Sequence, residues 1–244
     1  MSPCGCGVVF HCPTWPPARR IAWRGARVSS RPCSSVTSRS GACAYRRWRY
    51  GASGPWSRTY HGQTWNAAEP ARALGVGEST ARRHLDLLAD AFMIRQVQPY
   101  HANPRKRQVK SPKIYVRDTG LLHQLLGIDS LKALLTHPKI GGSWEGFVIE
   151  QVLTTEPNDA AFFWATHQGA EIDLVLRRGD ELFGVECKRT DTPRLTRSMG
   201  IALEDLGLKR IAGVHPGVKR FPLSEHVEAV PLSTLDGDGS IFAQ

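Results

Sequence analysis

Three carboxylates and one lysine between positions 144 and 188 are of the types that could hydrolyse a phosphodiester bond. Asp173 lies in GAEIDLVL, Glu186 and Lys188 lie in LFGVECK, and Glu150 lies in the apolar run SWEGFVIEQVL. Carboxylate oxygens suit hard cations such as Mg²⁺ or Mn²⁺. A lysine beside such a cation can orient the attacking water or stabilise the charge of the transition state. We therefore predict that Glu150, Asp173 and Glu186 bind metal and that Lys188 assists the nucleophile.

Residues 170–177 and 181–188 are predicted to be two strands of a hairpin, because both alternate in character. In the first strand the alternation places Ile172, Leu174 and Leu176 on one face, with Glu171 and Asp173 on the other. A slip of one residue in the pairing would send Asp173 to the wrong face. The register of this hairpin therefore decides whether a site exists.

The turn between these strands predicts their register. Gly179-Asp180 is a two-residue hairpin signal that pairs Arg178 with Glu181. Counting back along both strands places Asp173 opposite Glu186, and directly opposed residues have Cβ atoms about 5 Å apart. Two carboxylates that close repel each other unless a cation lies between them. The pairing thus favours a shared metal ion.

Further residues around the predicted pair could support it. The same register places Glu171 opposite Lys188, where it could hold that lysine in position. Gln168, in the loop before the strand, could position substrate or water. Glu150 belongs to a predicted helix over residues 143–153, and Gly146, one turn earlier, leaves room for a close approach.

These motifs resemble the PD-(D/E)xK nuclease superfamily, which has the restriction-endonuclease-like fold. Residues 146–150, GFVIE, are similar to the helix motif of its Holliday-junction-resolvase branch, and Asp173 with Glu186-Cys187-Lys188 resembles its metal motifs. From position 61 onward, phrases such as GVGESTARRHLDLLADAFMIRQV and KSPKIYVRDTGLL resemble a bacterial and archaeal family of AAA-type ATPases with a C-terminal domain of unknown function. The resemblance implies DNA as a partner.

The chain contains no G-x-x-x-x-G-K-[ST] phosphate loop, so the sequence does not support ATP binding by this chain. An ATPase domain would act in trans or be missing from this chain. No apolar run of 18 residues and no signal-peptide pattern are present, which predicts a cytoplasmic protein without a membrane partner.

The net charge of +10 originates in the first 60 residues. Residues 1–60 contain ten Arg and no Asp, Glu or Lys, whereas residues 61–244 contain 22 basic and 22 acidic residues. Cys4, Cys6, His11 and Cys12 have a spacing that fits no standard zinc pattern. We predict a disordered or aberrant leader over residues 1–60, with an arginine-rich nucleic-acid arm as the alternative.

Residues 61–118 are predicted to form a winged helix-turn-helix. Gly75-Val76-Gly77 makes the turn, and the second helix would bury a stripe of four residues, Ala81, Leu85, Leu88 and Phe92. Residues 92–97 and 113–117 would be the wing strands. Basic residues on the helix and wing suit phosphate contacts. The candidate DNA-contacting residues are Arg82, Arg83, Arg105, Lys106, Arg107 and Lys110.

The remaining chain is predicted to form a helical linker, a nuclease-like domain and a tail. The linker, residues 119–142, would contain two short helices stopped by His137-Pro138 and Gly141-Gly142. Residues 143–235 would form the domain, in the order helix, three strands, helix, strand, and residues 236–244 the tail. The fold class is α/β (α+β), with a winged helix followed by a restriction-endonuclease-like three-layer domain around a mixed sheet.

The predicted function is that of the C-terminal part of an AAA-type ATPase that binds DNA and cleaves it as a Mg²⁺-dependent endodeoxyribonuclease. Two alternatives are open. One is a non-catalytic module that binds DNA or protein, and the other is a winged-helix transcription regulator. Geometry distinguishes them, because only a nuclease requires Glu150, Asp173, Glu186 and Lys188 to converge.

Overall fold

A computed structural model describes residues 60–101, 111–236 and 239–242. Within these ranges the chain forms nine strands, six α-helices and one 3₁₀ turn (Leu232–Asp236). In chain order the elements are β1 (Gln63–Thr64), α1 (Ala68–Leu74), α2 (Glu78–Asp90), β2 (Ile94–Pro99), β3 (Lys113–Val116), α3 (Thr119–Leu125), α4 (Leu131–Thr136), α5 (Ile140–Thr155), β4 (Ala160–Ala165), β5 (Glu171–Arg178), β6 (Glu181–Cys187), α6 (Arg197–Leu206), β7 (Arg210–His215), β8 (Phe221–Ser224) and β9 (Val227–Pro231).

All nine strands join one mixed sheet in the order β1-β3-β2-β4-β5-β6-β7-β9-β8. Helices α5 and α6 cover its two faces. Val148 of α5 packs with Leu174 in one buried cluster, the α5 core. Met199 of α6 packs with Val175 in a second cluster, the α6 core. Because successive residues of a strand point to opposite faces, Leu174 and Val175 place these helices on opposite sides of the sheet.

The predicted hairpin register is confirmed from the Arg178–Glu181 pair to the Leu174–Val185 pair. Arg178 pairs with Glu181 and the antiparallel ladder continues to Leu174 opposite Val185. Gly179 has a φ of 59°, a left-handed conformation that the turn requires and that glycine adopts without a steric cost. Asp173 and Glu186 are the next residues on the two strands, and the predicted pairs Asp173–Glu186 and Glu171–Lys188 are not part of the ladder.

The predicted alternation in β5 is wrong at Ile172. Two steps along β4, from Phe162 to Trp164, correspond to three steps along β5, from Val175 to Ile172. Ile172 therefore packs in the α6 core beside Val175. The extra residue is a β-bulge, which bends a strand and re-aims its side chains. The bulge falls beside Asp173, so the direction of this side chain does not follow from the period of two.

The predicted winged helix and nuclease-like domain are joined through this sheet. Strand β2 pairs antiparallel with β3. On its other edge β2 pairs in parallel with β4, through Gln98 opposite Phe162 and Pro99 opposite Phe163. The domain boundaries predicted at 118 and 142 therefore do not separate two sheets, because one sheet contains strands from both sides of them.

Phe92 does not belong to the buried stripe of α2. The helix ends at Asp90, and Phe92 takes a left-handed φ of 57°, so its side chain is 73% exposed. The guanidinium of Arg117 lies over its ring, 5.6 Å from the centroid. The other predicted stripe residues, Ala81, Leu85 and Leu88, are buried.

Two other predicted boundaries are wrong. Gly141-Gly142 do not stop a helix, because α5 begins at Ile140 and continues through both glycines. Tyr60, assigned to the leader, is buried against Trp65 with ring centroids 5.1 Å apart, so it belongs to the fold. The predictions for residues 1–59, including the cysteines considered for zinc, and the predicted wing residues Arg105, Lys106, Arg107 and Lys110 lie outside the described ranges.

His61 links α5 to β3 through two hydrogen bonds. Its Nδ1 accepts a hydrogen bond from the Val116 amide at 2.9 Å, so its Nε2 carries the proton and donates to the Gly142 carbonyl, also at 2.9 Å. A Cβ at position 146 would lie 2.7 Å from the His61 ring. The close approach predicted at Gly146 is therefore present, and its partner is the imidazole of His61.

The stability of the fold is expected to depend on pH through His61. Burial lowers the pKa of its imidazole from 6.5 to about 4, with the Gly142 carbonyl partly opposing this shift. As pH falls the unfolded chain is protonated first, so stability present above pH 6.5 is lost between pH 6.5 and about 4. Relative to His61→Asn, which does not titrate, the wild type should lose up to about 1.4 kcal/mol per pH unit in that window. Urea denaturation of both proteins measures this, and a difference independent of pH would contradict it.

Candidate functional site

Asp173, Glu186 and Lys188 lie just beyond the paired segment of β5 and β6. Both carboxylates are buried, with residue exposures of 7% and 6%. Oδ2 of Asp173 accepts a hydrogen bond from the Cys187 amide at 2.8 Å, and Nζ of Lys188 lies 2.6 Å from Oε1 of Glu186. The second oxygen of Glu186, Oε2, is buried and has no hydrogen-bond partner among the described residues. A buried acceptor without a donor is costly, so this oxygen is a place where a ligand would bind.

The two carboxylates repel each other. Burial and the charge of Asp173 raise the pKa of Glu186 to about 7, although Lys188 partly opposes that rise. Burial is the largest single influence on Lys188 and disfavours its charged form, but the Glu186 and Asp173 carboxylates together outweigh burial, and the pKa of the lysine is raised. An upward shift of this kind is what a nearby negative charge produces.

Glu150 does not join this pair. Its Oε2 accepts hydrogen bonds from Nη2 of Arg95 and from Nε of Arg117, both at 3.0 Å, and Arg95 Nε also donates to its Oε1. The carboxylate thus ties α5 to β2 and to the residue after β3. The prediction that Glu150 converges with Asp173 and Glu186 is therefore wrong, because Arg95 and Arg117 bind its carboxylate.

Glu145 is the α5 carboxylate that shares a cation, Lys113, with Asp173, and the sequence did not predict this role. Five residues along a helix rotate a side chain by about 140°, so Glu145 and Glu150 point in different directions. Nζ of Lys113 lies 3.1 Å from Oε1 of Glu145, and the Tyr115 hydroxyl donates to the same oxygen at 2.5 Å. Burial and the charge of Asp173 raise the pKa of Glu145 to about 7, against the effect of Lys113.

Lys113 is a second residue of the site that the sequence did not predict. Its ammonium also lies 3.7 Å from Oδ1 of Asp173 and 4.0 Å from Oε2 of Glu171. Burial lowers its pKa, but the charges of Glu145, Asp173 and Glu171 outweigh burial, and the net shift is upward. One sequence signal could have indicated its role. Lys113 and Tyr115 alternate in a short strand that is otherwise apolar, as expected for side chains turned towards an acidic partner.

The predicted supporting residues are not assembled around Lys188. Glu171 has a side chain that is 54% exposed and approaches Lys113, while Lys188 pairs with Glu186. Gln168 is exposed in the turn between β4 and β5. Arg82 and Arg83 are exposed on α2, where Arg82 lies 3.7 Å from Glu78.

The donor set fits a magnesium ion only as a two-carboxylate site. Among the described residues, no group of three or more His, Cys, Asp or Glu side chains could hold a metal ion. Mg²⁺ commonly takes one or two protein carboxylates and completes its shell with waters and substrate phosphates. By residue type Asp173 and Glu186 suit such a site, because both are hard oxygen donors and Oε2 of Glu186 has no hydrogen-bond partner among the described residues. The predicted three-carboxylate set does not fit.

Two regions of the chain match models of domain families. Residues 140–235 match the Domain of unknown function DUF4143. Residues 57–132 match a second model, the Domain of unknown function DUF8612. Asp173, Glu186, Lys188 and Glu145 lie in the DUF4143 region, whereas Lys113 lies in the DUF8612 region. The site is therefore built from both.

Two curated proteins, both described as uncharacterized, are similar to this chain. They come from Mycobacterium tuberculosis (strain H37Rv) and Mycobacterium bovis (strain AF2122/97), and each is 52% identical over 182 residues. The similarity covers 75% of this chain but 41% of each relative, so the chain spans less than half their length. No solved structure matches the chain. In the part of the chain that the structure describes, no helix is long and apolar enough to cross a membrane.

Proposed function

We propose that residues 140–235 form a phosphodiester-hydrolysing domain related to the PD-(D/E)xK nucleases. The observation that supports this most is the buried, unpartnered oxygen of Glu186 beside Asp173 and Lys188. Asp173 and Glu186 would hold a Mg²⁺ or Mn²⁺ ion. Such an ion, when bound, supplies a water of lowered pKa and neutralises charge on a phosphate.

The protein's own residues would orient the reaction. The Cys187 amide holds Oδ2 of Asp173, which leaves the other lone pairs of that carboxylate for a ligand. The ammonium of Lys188 is held by Glu186, and its side chain is 26% exposed, so it can reach a substrate phosphate or its attacking water. Lys188 would thereby stabilise negative charge in the transition state.

A cleavage assay tests this proposal. The full chain is incubated with linear and branched DNA in Mg²⁺, in Mn²⁺ and in EDTA. We expect products with either metal and none in EDTA. Absence of cleavage on every DNA with both metals would contradict the nuclease assignment.

The wing and α2 are proposed to contact DNA through phosphates. Arg82 and Arg83 are exposed on α2, outside its buried stripe. Replacing both with Gln should weaken binding on all DNA sequences alike and reduce the slope of log affinity against log salt by about 2, because two phosphate contacts are lost. Lys132→Gln on α4, also an exposed cation, is the control. An unchanged salt slope would mean that α2 does not contact DNA and instead packs against protein.

We further propose that the chain corresponds to the C-terminal portion of an AAA-type ATPase that acts on DNA in the cytoplasm. Regions matching DUF4143 are often found in such C-terminal positions. The mycobacterial relatives are longer than this chain, which leaves room in them for an ATPase portion.

A non-catalytic module that binds DNA or protein is the second candidate. It is favoured by the arginine pair on Glu150, since the four side chains predicted to converge do not all do so. A transcription regulator would be a form of this candidate in which the winged helix alone engages DNA. Binding of DNA without cleavage, and without any effect of Asp173→Asn, would support it.

A further inference from the structure

We infer that Lys113 is a built-in cation of the site, occupying the place between Glu145 and Asp173 that a second metal ion would otherwise take. The inference rests on the proposed function in one respect, namely that Asp173 and Glu186 hold a first ion. It makes the site a single-metal site completed by an ammonium group from the DUF8612 region.

The geometry around Nζ of Lys113 carries this inference. Three carboxylate oxygens surround the ammonium, at 3.1 Å from Glu145, 3.7 Å from Asp173 and 4.0 Å from Glu171. The side chain is only 8% exposed, and its ammonium also lies 5.5 Å from the centroid of the Phe163 ring. A cation so enclosed is held by its partners, because an unpaired charge would be expensive to bury.

The same carboxylates would repel one another without the lysine. Asp173 and Glu145 each raise the cost of ionising the buried groups around them, and Lys113 offsets this repulsion. Oxygen ligands of this kind bind a divalent ion when no other cation is present. Lys113 therefore decides how many metal ions the site accepts.

Counting bound Mn²⁺ tests the inference. The full chain is titrated with Mn²⁺, and free ion is followed by electron paramagnetic resonance. We expect the wild type to bind about one ion and Lys113→Met about two, since the vacated carboxylates can then accept a hydrated cation. Met removes the charge and keeps an unbranched side chain only one atom shorter than that of Lys. Lys209→Met removes a lysine paired with Glu181 at 2.5 Å on the surface, and should bind as the wild type does.

A second substitution keeps the test decisive if Lys113→Met fails to fold. Glu145→Gln changes little volume, and with Lys113 present it should leave the count at about one Mn²⁺ ion, with an affinity reduced by less than about tenfold. A loss of about tenfold or more would make Glu145 a metal ligand and overturn the inference. In the Lys113→Met background, Glu145→Gln should return the count to that of the wild type.

The outcomes separate this inference from the proposed function. If Lys113→Met binds no more ions than the wild type, the inference is wrong, whether or not the protein cleaves DNA. If the wild type binds no Mn²⁺ and cleaves nothing, the proposed function fails. A gain of one ion in Lys113→Met would still show that the lysine fills a cation position.

Discussion

Asp173→Asn is expected to abolish metal-dependent cleavage while leaving the fold intact. The substitution removes a negative charge with little change in volume, and its remaining oxygen can still accept the Cys187 amide. Cleavage should fall by about 10²-fold or more, the scale of losing one group that stabilises transition-state charge. The single-turnover rate on the best DNA substrate measures this.

Metal binding provides a second measurement on the same variant. In the wild type, Mg²⁺ at a hundredfold excess over its dissociation constant should raise the free energy of unfolding by about 2.7 kcal/mol. Asp173→Asn should lose that gain. Lys188→Ala should keep it, because Lys188 is not a metal ligand, and should lose cleavage alone.

Glu150→Gln is the matched control for both measurements. It also neutralises a buried carboxylate of the predicted site, but one bound to Arg95 and Arg117. It should lower stability without removing the gain from Mg²⁺. If Glu150→Gln and Asp173→Asn lost metal binding equally, the structural assignment of Glu150 would be wrong.

Gly146→Ala is expected to destabilise the protein by about 3 kcal/mol. A methyl group at this position would lie 2.7 Å from Cε1 and 2.8 Å from Nε2 of His61. The ring cannot move aside without breaking its hydrogen bonds to Gly142 and Val116. Overpacking of a tight contact costs about 1–3 kcal/mol, and a lost buried hydrogen bond adds to it.

Gly200→Ala is the control for this substitution. Gly200 lies in α6, and a Cβ there would have nothing within 4 Å. Alanine should therefore stabilise the protein by about 0.5–1 kcal/mol through helix propensity. Urea denaturation of both variants measures the contrast. If the Gly146→Ala protein were as stable as the wild type, the His61 ring would have to move aside at little cost in free energy.

Local patterns in the sequence were sufficient for most elements of the fold. The period of two and the Gly179-Asp180 turn predicted β5, β6 and their register, because hairpin pairing depends on neighbours in sequence. The apolar stripe of α2 and the glycine turn before it were predicted for the same reason. Asp173, Glu186 and Lys188 could be found because all three lie on that one hairpin.

Only the tertiary structure decided which partners complete the site. The bulge beside Asp173 arises from pairing with β4, which the pattern within β5 does not contain. Glu145 and Glu150 lie in one helix and differ only in direction, so the choice between them depends on where Arg95, Lys113 and Arg117 lie in space. Those residues come from β2, β3 and the position just after β3. They reach α5 because the sheet continues from β2 into β4, a non-local pairing that no short stretch of sequence encodes.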